Sequence, residues 1–253
     1  MEWLEGDLGP GIRGGFTGSD ANLSLVVGAD AARAGARRAD LGRLVGAPVR
    51  FARQVHGTAV LLHGADHVPD LVQVVDGEQA ADVVVCANPA VAVGVLVADC
   101  VPVLLADPVA GVVAAVHAGR RGLAAGVLSA AVTAMVDLGA APARLRAVVG
   151  PAICGRCYEV PPELRDAVAA QVPGTASTTS WGTPALDLPA GVRGCLADLG
   201  VDRVHDVAAC TFTDPRWFSH RATGATGGRG GGPRPAPRAA GRFAGVVRPL
   251  PGS

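Results

Sequence analysis

The sequence predicts a mixed α/β fold of the α+β kind, one domain over residues 1–253 with mixed β-sheets layered between helices. Three observations point there. Short apolar runs outnumber the stretches with helical spacing. They follow one another without the regular strand–helix alternation that a doubly wound parallel sheet requires. The chain is 49% hydrophobic but only 4% aromatic, so its core is built from Val, Leu and Ala.

The elements follow in order. Residues 1–20 are Gly-rich and are expected to be irregular or an edge strand. Ala29–Val45 has Ala, Arg and Leu at helical spacing and stops at Gly46-Ala47-Pro48. Pro48–Leu62 reads as strand, turn, strand, with His56-Gly57 at its centre. Ala81–Ala87 is a short apolar strand; Val91–Ala98 and Val103–Ala106 are two more, separated by a corner at Asp99-Cys100-Val101-Pro102. Gly111–His117 is the next strand. The four-residue recurrence of Leu123, Val127, Ala131 and Met135 then predicts one helix over 121–138. Ala147–Gly150 is a strand, Pro162–Val172 a helix, and Leu186–Leu199 a helix with Asp187 as N-cap. Val204–Cys210 is a late strand. Ala222–Ala240, rich in Gly, Pro and Arg, reads as a flexible insertion before a last strand over Arg242–Pro249.

Composition removes several chemistries. Lys and Arg total 22, as do Asp and Glu, and every basic residue is arginine. A Schiff-base lysine, a lysine-activated serine and a P-loop lysine are therefore excluded. Zero net charge argues against a broad nucleic-acid binder. No apolar run is long enough to span a bilayer. The acidic start MEWLEGDLGPG does not read as a secretory signal, so a cytoplasmic protein without membrane partners is expected. In that compartment the six cysteines are expected as thiols. Cys154 and Cys157 form a C-x-x-C, but no second one completes a four-thiolate zinc site, so the pair is read as ordinary thiols.

Three corners carry soft or borderline ligands: Arg53-Gln54-Val55-His56-Gly57, Ala98-Asp99-Cys100-Val101-Pro102, and His117-Ala118-Gly119-Arg120-Arg121-Gly122. Two imidazoles and a thiolate, His56, His117 and Cys100, make a three-ligand set for one zinc with a fourth position open, the pattern of a catalytic ion. Such an ion lowers the pKa of its water to about 7. The plain alternative is a turn histidine beside glycine and a buried structural cysteine. The third corner also opens a helix. Backbone N–H groups there, with Arg120 and Arg121, suit phosphate or a developing oxyanion; solvated helix-start arginines are the alternative.

Taken in order, the motifs resemble a known family. They are RGGFTGSDANLSL (13–25), RQVHG (53–57), ADCVPVLLAD (98–107), VHAGRRGL (116–123), GPAICGRCYEV (150–160), LDL (186–188), CT (210–211), FSHR (218–221) and Gly241-Arg242. The chain is similar to the proteins first labelled laccase-domain or multicopper polyphenol oxidases and now regarded as zinc-dependent purine nucleoside phosphorylases, related to peptidoglycan editing factors. The resemblance implies a four-layer, cysteine-hydrolase-like architecture, a monomer, and zinc on His56, Cys100 and His117. It implies phosphorolysis of adenosine, inosine, guanosine or methylthioadenosine, and deamination of adenosine. Phosphate would sit at Arg121, and Asp99 would move protons or act as a structural cap. By motif position, Arg13, Asn22 and Gln54 become candidate substrate-binding or supporting groups. The chain departs from the family pattern at Arg120, where Trp is usual, at Arg37-Arg38, at Cys154, and in the length of the 220–241 loop.

Three rival functions are weighed at this point. A multicopper centre needs about ten imidazoles; the chain has His56, His63, His67, His117, His205 and His220, which leaves copper only as an alternative single ion at the Cys/His site. A metal-free cysteine hydrolase would use Cys100 as nucleophile and His117 or His56 as base, with a cell-wall precursor as substrate. A non-enzymatic partner protein would leave the His/Cys set unexplained.

Overall fold

The computed structural model describes residues 1–28, 30–63, 79–224 and 236–252. In chain order the strands are β1 (Trp3–Glu5), β2 (Ile12–Thr17), β3 (Val49–Phe51), β4 (Val60–His63), β5 (Val83–Cys86), β6 (Ala92–Val97), β7 (Val101–Asp107), β8 (Val112–Ala118), β9 (Arg146–Val149), β10 (Ala176–Thr178), β11 (Pro184–Leu186), β12 (Arg203–Asp206) and β13 (Phe243–Pro249). The helices are α1 (Ala31–Val45), α2 (Arg120–Ala124), α3 (Val127–Asp137), α4 (Pro162–Gln171) and α5 (Leu188–Asp198).

Two sheets form the centre. One runs β1-β2-β13-β6-β3, the other β12-β9-β7-β8-β5-β4, and β10 and β11 pair as a separate hairpin. Both large sheets are mixed: β3 is parallel to β6, β4 to β5 and β12 to β9, and the remaining neighbours are antiparallel. The central strands β5, β7, β8 and β13 are buried on both faces, which explains their continuous apolar runs. Alternation then sorts the side chains. Val103 and Leu105 face the helices while Leu104 and Ala106 face the other sheet. Leu128, Ala131 and Met135 of α3 close the helix side of the six-stranded sheet, and Leu41 and Val45 of α1 cover the five-stranded one. The result is four layers, helix–sheet–sheet–helix, as expected. Among the described residues no helix is long and apolar enough to cross a membrane.

Two expectations are corrected. The helix read over 121–138 is two helices, because Gly126 takes a left-handed conformation (φ 90°) that ends the first and starts the second. The Gly-rich N-terminus is not confined to an edge: β1 is the edge strand and β2 lies inside the sheet. Gly15 permits this, since a Cβ there would lie 2.2 Å from the Leu4 carbonyl oxygen on β1. The sequence also does not announce the hairpin β10–β11, whose strands, Ala-Ser-Thr and Pro-Ala-Leu, are too short to show an apolar alternation. Of the insertion read over 222–240, residues 225–235 lie outside the described ones; its flanks are tied down, with Arg238 donating from its backbone to the Ala222 carbonyl (3.2 Å) and from its guanidinium to the Asp214 carbonyl (2.9 Å).

Asp107 closes β7. Its fully buried carboxylate accepts from the N–H groups of Val109, Ala110 and Ala141 and from the Arg144 guanidinium, pinning the turn before β9. Burial pushes its carboxyl up, but those four donors outweigh it and hold it below the usual range. Its contribution is therefore present above the unfolded carboxyl value, about pH 4, and disappears as pH falls through the folded one. Asp107→Asn should cost about 2–4 kcal/mol in urea unfolding at pH 7. The gap to wild type should narrow below about pH 4; a pH-independent gap would refute the assignment.

Candidate metal centre and its two hollows

The three corners meet. The chain leaves the five-stranded sheet at β3, turns through His56 and enters the six-stranded sheet at β4. It makes the same crossing from β6 to β7 through Asp99-Cys100, and His117 lies near the end of β8. The donor atoms of His56, Cys100 and His117 lie within 4.8 Å of one another, with His56 Nε2 3.8 Å from Cys100 Sγ. The imidazole rings of His56 and His117 meet edge to face at 4.7 Å.

A residue that the sequence reading passed over holds this set together. Asp82, at the foot of β5, is fully buried. Its carboxylate accepts from His117 Nδ1 (2.7 Å) and from the N–H groups of Val55 (3.2 Å), His56 (2.9 Å) and Gly57 (2.6 Å). With Nδ1 committed to Asp82, His117 presents Nε2 to the centre, the carboxylate–histidine pattern of metal sites. Burial raises the Asp82 carboxyl, but the His117 bond and the backbone donors bring it below its ordinary value. The available signal was one acid at the head of the apolar run ADVVVCA.

The electrostatics follow. Burial works against a Cys100 thiolate, yet hydrogen bonds and charge from His117 and His56 lower its pKa to about 6. Burial likewise lowers His117, and Asp82 with Cys100 outweigh it, raising the imidazole to about 9. At neutral pH the metal-free centre is thus a thiolate–imidazolium pair. Two nitrogens and a thiolate suit zinc, with Asp82 orienting one ligand, so the residues fit the ion.

Backbone strain is concentrated here. His56 (φ 61°) and Asp99 (φ 87°) adopt left-handed conformations, which cost about 1–3 kcal/mol each where a side chain is present. Asp82 holds the first. The second is held by the Asp99 carboxylate itself, which accepts from Thr211 Oγ1 (2.7 Å) and the Arg221 N–H (2.6 Å). The glycines of the third corner provide clearance: a Cβ at Gly119 would lie 2.7 Å from His56 Cδ2, and one at Gly122 2.8 Å from the Gly57 carbonyl.

His56 and Cys100 stand between two hollows. The first, of about 420 Å³, is lined by Asp99, Arg120, Arg121, Tyr158, His220 and Arg221, among others. Arg221 stacks over the Tyr158 ring at 5.2 Å. The second, of about 540 Å³, is reached by Phe51, Gln54, His117 and Arg242 and by the loop at Ser24–Val26. His220 lines both. The sequence reading quoted His220 and Arg221 within FSHR without assigning them roles, and Tyr158 likewise within GPAICGRCYEV.

The other predicted site residues fall differently. Arg121 lines the first hollow. Gln54 reaches the second, but its amide is spent on Leu96, donating to the carbonyl and accepting from the N–H at 2.8 Å each. Asn22 is buried in the loop it organises, accepting from Ser24 and Arg242 N–H and donating to the Val27 carbonyl. Arg13 lies on β2, 4.0 Å from Glu5 and opposite Arg248, and lines neither hollow. Asp99 spends both carboxylate oxygens on the Thr211 and Arg221 contacts, which is a capping role.

Comparison with known proteins places this arrangement. Residues 12–232 match the family described as multi-copper polyphenol oxidoreductase laccase. The chain belongs to that family. It is 52% identical over 216 residues to a purine nucleoside phosphorylase of Streptomyces griseus, covering 82% of this chain and 84% of the relative. It is 48% identical over 211 residues to one from Streptomyces coelicolor, covering 82% and 85%. Among solved structures, YlmD from Geobacillus stearothermophilus superposes with a TM-score of 0.80 at 25% identity, covering 99% of this chain and 97% of that one. A Neisseria meningitidis protein gives 0.78 at 28% identity, covering 99% and 100%.

Asp82→Asn should weaken metal binding at this centre about 10–100-fold, because the His117 tautomer and the His56 turn lose their anchor. Gly119→Ala should weaken it comparably by displacing His56. Chelator competition measures both, and affinities equal to wild type would remove Asp82 and Gly119 from the design of the centre.

Proposed function

We propose that this protein is a zinc-dependent purine nucleoside phosphorylase that splits the N-glycosidic bond of adenosine, inosine, guanosine or methylthioadenosine with phosphate, and that it also deaminates adenosine. One observation carries the reading: a two-histidine, one-cysteine centre stands between an arginine-lined hollow and a larger mixed one. The names of the similar Streptomyces proteins agree with it.

The arginine-lined hollow suits the phosphate. Arg120, Arg121 and Arg221 approach it from two chain segments, and Asp99, the one acid among its described lining residues, has both oxygens engaged. Guanidinium groups bind phosphate through paired N–H donors and do not lose their charge at neutral pH. Arg120 adds a third cation beside Tyr158. The nucleoside then belongs in the larger hollow, with its glycosidic bond facing the phosphate across His56 and Cys100. Phe51 offers an apolar face and Arg242 a cation near the ribose and base. Zinc held by His56, Cys100 and His117 would supply Lewis acidity at the shared wall. Asp82 keeps His117 aligned, and Asp99 keeps Cys100 and Arg221 in place. The reading is of a monomer in the cytoplasm acting on small molecules, without nucleic-acid or membrane partners.

Phosphate-dependent release of adenine from adenosine or methylthioadenosine, followed by chromatography, tests the reading. The absence of both free base and inosine would overturn it. Arg121→Ala should raise the phosphate KM about tenfold or more while leaving the melting temperature near wild type; an unchanged phosphate dependence would remove Arg121 from anion binding.

A second reading, a cysteine hydrolase acting on cell-wall precursors, is favoured by the Cys100–His117 pairing, which resembles an activated nucleophile. In metal-free protein, alkylation of Cys100 should rise through a midpoint near pH 6 as the thiolate forms, and level off above it. Zinc should protect the thiol until a chelator is added. Full hydrolase activity in metal-free protein would favour this second reading over the first.

A further inference from the structure

A second group of soft donors stands behind the wall of the first hollow. Cys154, Cys157 and Cys210 are free thiols whose sulfurs lie within 4.8 Å of one another. Sequence spacing left the C-x-x-C as ordinary thiols because its third partner is distant along the chain. The fold supplies that partner. An isolated parallel bridge pairs Ala152 with Cys210, with Ala152 N–H donating to the Ala209 carbonyl (3.1 Å) and Thr211 N–H to the Ala152 carbonyl (3.0 Å). The C-x-x-C then curls back on itself, with the N–H groups of Cys157 and Tyr158 on the Cys154 carbonyl at 2.9 and 3.0 Å. Cys154 N–H points at Cys210 Sγ from 3.5 Å. Ile153, Phe212, Ala222, Tyr158 and Trp181 surround the group with apolar surface.

We propose that Cys154, Cys157 and Cys210 form a second metal site, a three-thiolate clamp for zinc(II) whose fourth position is filled by water or a small exogenous ligand. Thiolates select zinc(II) and copper(I) over harder ions. Charge decides between them. Three thiolates with zinc(II) leave one net negative charge in this half-buried, apolar place, and copper(I) leaves two, which is costlier to desolvate. Sulfurs around a four-coordinate zinc lie about 3.8 Å apart, given Zn–S bonds of about 2.3 Å, so only a small contraction is required. Cys154 and Cys210 are half-buried, which leaves a path for the ion and for its fourth ligand. Binding releases the thiol protons to solvent, and nothing is oxidised.

The clamp acts on the first site through Asp99. Ile153, beside Cys154, donates its N–H to the Asp99 carbonyl (3.0 Å), and Thr211, beside Cys210, donates its hydroxyl to the Asp99 carboxylate (2.7 Å). Asp99 in turn fixes Cys100 and Arg221. An ion on the three thiolates therefore holds together the two segments that grip the corner carrying Cys100.

The test counts zinc. Full-length protein is loaded with zinc(II) under a non-thiol reductant, desalted and examined by elemental analysis and native mass spectrometry. Wild type should hold two ions, Cys100→Ser one, Cys157→Ser one, and the double variant none. Cobalt(II) bound to Cys100→Ser should show thiolate-to-cobalt charge-transfer bands that Cys210→Ser abolishes, which keeps the test intact if Cys157→Ser fails to fold. None in Cys100→Ser, or as many ions in Cys157→Ser as in wild type, would overturn the clamp. So would a disulfide among the three cysteines in peptide maps of protein purified under reductant. The clamp does not rest on the phosphorylase reading, and its failure would leave that reading as it stands.

Discussion

The Asp82 carboxylate is the interaction on which the rest of the site depends. A fully buried anion is costly unless every lone pair is engaged and a positive partner stands near. Asp82 meets that demand with three consecutive backbone N–H groups of the Val55–Gly57 turn and the imidazole of His117. The same four bonds give His56 its strained conformation, align His117 and bring both imidazoles to Cys100. Stability and function are not separable there: the charge needs the turn as much as the turn needs the charge.

The two-sheet architecture explains why three distant corners coincide. In the β3–β4 and β6–β7 connections the chain steps from the five-stranded sheet to the six-stranded one. Such a step requires a sharp change of direction, which glycine or a strained residue with ample hydrogen bonding can make. His56 and Asp99 are the residues at these steps, and Gly119 and Gly122 give them room. The same corners open hollows on either side, so the geometry that joins the sheets also exposes the ligands.

The absence of lysine shapes what surrounds the centre. Apart from the His117 imidazole and the N-terminus, positive charge comes from guanidinium groups, and several of these serve the scaffold: Arg144 on Asp107, Arg238 on the Asp214 carbonyl, Arg248 on the Val45 carbonyl. Arg120, Arg121 and Arg221 differ in gathering around one hollow whose acid is already engaged. Asp99 links that hollow to the three cysteines behind it, so both soft-donor groups bear on the same corner.

The sequence alone determined the fold class, most strands, the N-cap of α5 and the three residues whose donor atoms meet in the first centre. Alternation and continuity of apolar residues are local signals, and His56, Cys100 and His117 lie in distinctive short motifs. The sequence left open what long-range proximity decides. Asp82 looked like the start of a strand, because its four donors come from segments on either side of it. Asn22 and Gln54 read as substrate-binding or supporting groups, and motif position does not show that their amides are spent on the backbone. The break at Gly126 turns on a single backbone angle, which helical periodicity does not register. The third sulfur beside the C-x-x-C is placed by a backbone bridge between Ala152 and Cys210, a contact written in no local pattern.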